Sequence, residues 1–194
     1  AGSEQKYFIY FYNPADVRDM TFMVFKYPQK DDDRWLYMPA LKMVRRIAAN
    51  DKRSSFVGSD FTYEDVSGRD IGEDTYSLLG DETVAGKACY KLKSVPKSPK
   101  SADYSQKISW IDKASFLPLK EEYSDKRGTL YRVFTADEVK DVQGLPTVMK
   151  RTMENVQSGH KTEVTFTEVK YNQKLPEEVF SERSLRTAPM EWIR

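Results

Sequence analysis

The stretch WLYMPALKMVRRIAANDKRSSFVGSDFTYED, residues 35–65, decides the fold of this chain. It opens as a strand, because Trp35–Met38 are strand-favouring or apolar residues. Pro39 cannot donate a ladder hydrogen bond and therefore marks an edge or a bulge. The apolar pattern resumes at Leu41 and continues to Ile47. The sequence therefore predicts a strand, a bulge and a second strand over residues 35–47.

A polar loop over residues 50–55 leads into the segment FVGSDFTYED, residues 56–65. Here Ser59 or Asp60 is predicted to cap a short helical turn, because serine and aspartate accept hydrogen bonds from amides at a helix start. Asp60 and Glu64 are also predicted to pair with Arg45 or Arg46. Such pairs would hold the loop against the preceding strand.

Two motifs of this stretch, WLYMPALKMVRRIA (35–48) and FVGSDFTYEDV (56–66), resemble the bacterial outer-membrane lipoprotein-sorting-protein-like family, the LolA/LolB-like envelope proteins. Weaker similarity continues through ISWIDKASFLPLKEEY (108–123) and LPEEVFSERSL (175–185), so it covers most of the chain. The resemblance implies a mainly β fold: a strongly curved antiparallel sheet forming an incomplete, half-open β-barrel with short covering helices. It also implies a periplasmic or outer-membrane-associated location, with the export signal removed.

The resemblance further implies an N-terminally truncated domain, because the family has an amphipathic helix and strands before the segment equivalent to Lys6. Residues 1–194 are therefore predicted to form a single LolA-like domain, with a loosely held tail over residues 184–194. The exposed N-terminal edge that such a truncation leaves is predicted to pair between chains and give a homo-oligomer.

Composition narrows the class of protein independently of the resemblance. Lys and Arg total 31 against 30 Asp and Glu, which argues against nucleic acid as a partner. About ten aromatic-rich strands separated by turn signals predict a sandwich or a barrel. They include a strand over residues 76–84 interrupted at Gly80 and a long strand over residues 161–171, while a charged turn is predicted over residues 28–34 and a tight turn at Ala85-Gly86. The apolar run Tyr7–Tyr12 is far shorter than the roughly 20 residues that span a bilayer. As a strand, this run places aromatic side chains on both faces. Both faces must therefore be buried, or one is buried and the other lines a cavity.

Residues that carry chemistry are scarce. His160 and Cys89 are the sole histidine and cysteine, and no phosphate-binding loop, nucleophile elbow or zinc motif occurs. The chain is therefore predicted to be a non-enzyme without cofactor or metal. An enzyme would require a convergent polar cluster around His160 or the Asp60–Glu64 loop.

The function that remains after enzymatic chemistry is set aside is noncovalent binding of an apolar ligand. The resemblance implies acyl chains of a lipid or lipoprotein as ligands, with an inner-membrane transporter as a further candidate partner. Lining residues are drawn from strands that are apolar on both faces, with ordinary core as the alternative role for each: Tyr10, Phe22, Val24, Trp35, Tyr37, Trp110, Phe134 and Phe166. Headgroup or partner contacts are predicted at Lys42, Arg45 and Arg46, with a solvated strand face as the alternative. The competing hypothesis is an interaction module, or an accessory subunit of an envelope transporter or assembly complex, with a filled core.

Overall fold

The computed structural model describes residues 4–28 and 30–193. Residues 1–3, position 29 of the predicted charged turn and the last residue of the predicted tail lie outside this range. Within it the chain is mainly β, with eleven strands in two antiparallel sheets, short helices and no closed barrel. The prediction of a mainly β, open antiparallel fold with short helices is confirmed.

In both sheets each described strand pairs with its neighbour in sequence. The first sheet contains β1 (Gln5–Tyr10), β2 (Thr21–Lys26), β3 (Asp33–Met38) and β4 (Met43–Arg46). The second sheet contains β5 (Asp74–Val84), β6 (Lys87–Pro96), β7 (Gln106–Asp112), β8 (Pro118–Ser124), β9 (Leu130–Val142), β10 (Leu145–Asn155) and β11 (His160–Thr165). The α-helices are α1 (Tyr63–Ser67) and α2 (Glu182–Arg186). Single 3-10 turns occupy Pro39–Leu41, Ala49–Arg53, Ile71–Glu73 and Glu177–Phe180.

The chain divides into two compact units. The first comprises residues 1–57, 62–68 and 173–194, and contains the first sheet with both α-helices. The second comprises residues 58–61 and 69–172, and contains the second sheet. The assignment of residues 1–194 to a single domain stays a prediction.

One face of the first sheet carries the core of the first unit. Phe22 and Val24 of β2 are fully buried there, and Phe22 lies opposite Leu36 of β3. The Phe22 ring centroid lies 5.2 Å from that of Phe56 and 5.3 Å from that of Tyr63. The loop before α1, together with α1 itself, therefore covers this face.

The C-terminal segment covers part of the other face of the first sheet. Leu185 of α2 is buried, and its carbonyl oxygen accepts a hydrogen bond from Thr21 Oγ1 of β2 at 2.6 Å. The sheet is thus covered on both faces, as the two-sided apolar pattern required. The predicted loose tail over residues 184–194 begins too early, because Ser184 and Leu185 are buried in α2.

The decisive stretch folds largely as its sequence predicts. β3 ends at Met38, a 3-10 turn opens at Pro39, and β4 follows after Lys42, which adopts a left-handed conformation. The prediction that Ser59 or Asp60 caps the helical turn is wrong. Thr62 caps α1: its Oγ1 accepts from the Asp65 amide at 3.0 Å, while Asp65 Oδ2 accepts from the Thr62 amide at 2.8 Å. This capping box satisfies two amides at the helix start.

In the second sheet, β5 and β6 form a hairpin through Ala85 and Gly86. Both turn residues have positive φ, at 49° and 76°, which matches the twist of a two-residue hairpin. The register of β5 shifts between Leu78 and Gly80, where the sequence predicts an interruption. At the far edge β11 ends at Thr165, so the strand predicted over residues 161–171 is too long.

The turn after β7 is held by a carboxylate. Ser115 Oγ donates to Asp112 Oδ2 at 2.5 Å, and the amide of Ala114 donates to Asp112 Oδ1 at 3.3 Å. These hydrogen bonds, with that from Ser115 as the larger, hold the pKa of the Asp112 carboxyl below its usual range. Ionisation of the Asp112 carboxyl is therefore more favourable in the folded chain than in the unfolded one.

Replacing Ser115 with alanine is expected to lower the free energy of unfolding by roughly 1 kcal/mol at pH 7. A depressed folded-state pKa stabilises the fold above the unfolded carboxyl pKa of about 3.9, and this contribution is lost as pH falls through the folded-state value. The deficit of the variant should accordingly shrink in acid unfolding experiments. Ser105→Ala is the control, since Ser105 Oγ donates to a main-chain oxygen. A Ser115→Ala deficit that stays constant with pH would contradict the assignment.

Candidate ligand-binding groove

The structure divides the predicted lining residues between the two units. Those of the first unit are Tyr10, Phe22, Val24, Trp35 and Tyr37, and those of the second are Trp110, Phe134 and Phe166. Within the first unit, Phe22 and Val24 belong to the buried core, whereas Trp35 lies on the opposite face. Within the first unit, the predicted residues therefore lie on two opposite faces of the sheet.

Tyr10 and Tyr37 are half-buried and share one face of the first sheet. Each lies opposite Thr21 in register, and the Tyr10 hydroxyl donates to Asp19. The Tyr10 ring packs edge-on against Tyr12, with ring centroids 4.6 Å apart. Both tyrosines lie on the face that Trp35 occupies, but away from the groove described below.

The predicted residues of the second unit pack within or beside the second sheet. Trp110 is buried against Cys89 and Leu119, and the ammonium groups of Lys91 and Lys120 lie 5.1 and 4.8 Å from its ring centroid. Phe134 is buried in β9. Phe166 follows the end of β11 and is 37% exposed. The contacts of Trp110 and the burial of Phe134 are those of ordinary core.

A groove of about 470 Å³ lies between the first sheet and the C-terminal segment. Its floor comes from alternate residues of three strands, which point away from the core because side chains alternate along a strand. Phe180 and the residues of α2 form its wall. The lining residues are Met23, Phe25, Trp35, Val44, Arg46, Phe180, Glu182, Leu185 and Arg186. An aromatic and aliphatic floor is thus combined with two guanidinium groups.

Both arginines of the groove are paired and partly exposed. Arg46 forms an ion pair with Asp33, and its side chain is 70% exposed. Arg186 Nη2 lies 3.4 Å from Glu182 Oε1, and Arg186 Nη1 donates to the Lys42 carbonyl oxygen at 3.3 Å. Exposed ion pairs contribute little stability, so a ligand anion can exchange for either carboxylate at small cost.

Of the three predicted headgroup contacts, Arg46 lines the groove. Arg45 instead pairs with Asp51 at 3.6 Å and is more than half exposed. Lys42 is exposed and reaches the groove through its main chain, whose carbonyl binds Arg186.

Asp60 lies at the centre of a polar cluster in the second unit. Its Oδ2 lies 2.7 Å from His160 Nδ1 and accepts from Thr162 Oγ1 at 2.7 Å. Its amide donates to Thr162 Oγ1 at 2.9 Å, and its carbonyl accepts from Arg132 at 3.2 Å. Residues 58–61 are thereby anchored to β9 and β11. The His160 ring and the Thr162 hydroxyl both bind Asp60 Oδ2 and not each other, so this polar cluster holds the loop and does not form the nucleophile–base pair that an enzyme of this kind would use.

The predicted pairing of Asp60 and Glu64 with Arg45 or Arg46 is wrong. Asp60 binds His160 and Thr162, and Glu64 pairs with Lys52 at 2.8 Å. Within the part of the chain that the structure describes, no three metal-binding side chains are grouped to hold an ion, and no helix has the length and apolarity to cross a bilayer.

The comparisons with known proteins bear on the family. A family model described as "Uncharacterized protein" matches residues 3–187. The structure of a candidate outer membrane lipoprotein-sorting protein domain from Vibrio parahaemolyticus is 32% identical, with a TM-score of 0.88 over 95% of this chain and 79% of that chain. The chain belongs to this lipoprotein-sorting-protein-like family. A DUF1329 family protein from Desulfovibrio piger is similarly related, at 33% identity and a TM-score of 0.86 over 92% of this chain and 75% of that one.

More distant similarity concerns the fold alone. A LolA superfamily protein from Nitrosomonas europaea is 20% identical, with a TM-score of 0.68 over 91% of this chain and 76% of that chain. No match was found among the curated proteins. The family resemblance predicted from the motifs at residues 35–48 and 56–66 is thus confirmed, and the similarity extends over nearly the whole chain.

Of the residues predicted from the sequence, Trp35 and Arg46 line the groove; the other groove residues were not predicted. Met23, Phe25 and Val44 alternate with core positions, and this period-two signal was available in the sequence. Phe180 and Leu185 were harder to find. They lie in a polar C-terminal segment, and only its return to the first sheet makes them part of the wall.

Proposed function

We propose that this chain is a non-enzymatic carrier that binds an acyl chain in the groove between the first sheet and α2. The observation that carries the proposal is the combination of an apolar floor, at Trp35 and Phe25, with the guanidinium of Arg46 at its rim. The groove volume falls within the range of small-ligand sites, about 300–1,000 Å³. An acyl tail would bury its methylenes against the floor, and an anionic headgroup would meet the arginines.

The family supports the choice of ligand and location. The relative from Vibrio parahaemolyticus is described by lipoprotein sorting, and a lipoprotein carries acyl chains as its apolar part. We therefore infer a periplasmic or outer-membrane-associated protein that transfers acyl chains of a lipid or lipoprotein, with an inner-membrane transporter as the donor. A carrier must also release its ligand, so moderate affinity suits it better than extreme affinity.

One observation favours an interaction module instead. On the second sheet, Glu121 accepts hydrogen bonds from Ser109 at 2.8 Å and Tyr123 at 2.7 Å, and pairs with Lys107 at 2.8 Å. A polar network of this kind is an unsuitable floor for an acyl chain. If the groove of the first unit binds no ligand, the second sheet would instead serve as a protein-binding surface of an accessory subunit.

Native mass spectrometry of the purified chain, with lipid extraction in parallel, tests the proposal. We expect fatty acid or phospholipid at close to one molecule per chain. We also expect thermal stabilisation when palmitate is added to delipidated protein, because a ligand that binds only the folded state raises its stability. A lipid-free mass together with an unchanged melting temperature in palmitate would reject the carrier and favour the interaction module.

A further inference from the structure

The edge of the second sheet at β5 is long and exposed. β5 spans eleven residues, Asp74–Val84, and all nine from Thr75 to Thr83 are exposed. Within the described residues it pairs with β6 alone, so its outer main-chain groups point away from the sheet. Three large apolar side chains lie along it, with exposed fractions of 43% at Tyr76, 62% at Leu78 and 52% at Leu79.

The other described edges differ in length and charge. β4 has four residues and ends in Arg45 and Arg46, while β11 has six and carries Lys161 and Glu163. β1 has six residues; its apolar stretch Tyr7–Tyr10 is half-buried, unlike β5, and its Lys6 pairs with Glu177. Short edges with charged side chains resist pairing with another chain, whereas a long apolar edge favours it. The half of β5 before Gly80 has no charge after Asp74.

We propose that β5 is a homodimer interface, at which β5 pairs antiparallel with β5 of a second copy of this chain. A second copy fits this edge because each β5 offers an uncharged half that can face the acidic half of the other, and this distribution of charge favours the antiparallel orientation. Asp81 and Glu82 lie in the second half of β5, so an antiparallel copy places them opposite the uncharged half, Thr75–Leu79. A parallel copy in register would place each acid beside its own equivalent, which is destabilising.

The acidic side chains of β5 are already paired within the chain. Asp74 is turned inward and binds Arg69 at 2.9 Å and the Tyr104 hydroxyl at 3.1 Å. Lys91 pairs with Glu82 at 2.8 Å and Lys113 Nζ donates to Asp81 at 2.5 Å, so both exposed acids are compensated within the chain. An antiparallel pair about a twofold axis uses the same surface on both copies and closes at two chains. The bulge between Leu78 and Gly80 limits continuous pairing to the two halves of the strand.

Sedimentation and amide hydrogen exchange test the proposal on the 194-residue chain. Between about 1 µM and about 100 µM, the range of a moderate to weak dimer, we expect a monomer to dimer transition. Over the same range the peptide covering residues 74–84 should exchange more slowly. Leu78→Lys should raise the dimer dissociation constant at least tenfold, since it places charge on the pairing edge. Leu145→Lys is the matched control, because Leu145 is an exposed leucine of the same sheet.

Two results would overturn the proposal. A chain that stays monomeric at the highest concentration, with unchanged exchange over residues 74–84, has no interface at β5. A dimer that Leu78→Lys leaves intact, while that variant keeps the melting temperature of the wild type, is formed elsewhere; pairing at the N-terminal edge β1 would give this result.

Discussion

Replacing Val44 with tryptophan is expected to weaken binding of palmitate about 100-fold. Val44 lies on β4 and lines the groove, so a bulkier ring there would occupy space that the acyl chain needs. Excluding roughly four methylenes, at about 0.8 kcal/mol each, removes about 3 kcal/mol of binding free energy. Titration of delipidated protein with a fluorescent fatty acid measures the change directly.

The matched control is Val156→Trp, which makes the same substitution at an exposed valine in the turn after β10. This variant should bind palmitate as the wild type does. If both variants bind equally well, the acyl site lies outside the groove. If both lose binding, the substitution acts on folding, and the melting temperatures of the two variants will show it.

Replacing Asp32 with alanine is expected to lower the free energy of unfolding by about 3–5 kcal/mol, because it removes one partner of a buried ion pair. Asp32 Oδ2 lies 2.6 Å from Arg34 Nη2, and the side chains are only 8% and 3% exposed. Arg34 also donates to Ser67 Oγ at 3.0 Å, a neutral acceptor that cannot balance the charge. The variant would leave a guanidinium buried beside the core of the first unit.

Asp31 provides the control at the adjacent position. Its side chain is exposed, so Asp31→Ala should change the free energy of unfolding by less than about 0.5 kcal/mol. Urea unfolding at neutral pH compares the two variants. Equal losses would show that the contribution comes from the acidic turn as a whole and not from the pair with Arg34.

Local pattern explains much of what the sequence predicts. Strand alternation, the turn at Ala85-Gly86 and the break at Gly80 depend on residues close in sequence, and the structure reproduces them. Trp35 was predicted to line a binding surface, and it lines the groove of the first unit, because its strand is apolar on both faces. Trp110 has a similar local pattern but is packed in the second sheet. Periodicity shows which residues share a face, but not what covers that face.

Long-range partners could not be predicted from one sequence. Asp60 and His160 are 100 positions apart, and Thr21 and Leu185 are 164 apart. Nothing in the local sequence of either residue specifies such a pairing. The capping box at Thr62 could have been predicted, because an acidic residue three positions after a threonine is a recognisable sequence pattern.

The division of the first unit into three chain segments has a consequence for synthesis on the ribosome. Nearly all of the second unit comes from one continuous segment, residues 69–172, and can fold as soon as that segment has emerged. The first unit starts earlier in the chain but needs residues 173–194 to cover its sheet. Until Leu185 has been translated, the apolar face at Met23 and Trp35 lacks the segment that covers it, so this face is exposed for most of elongation.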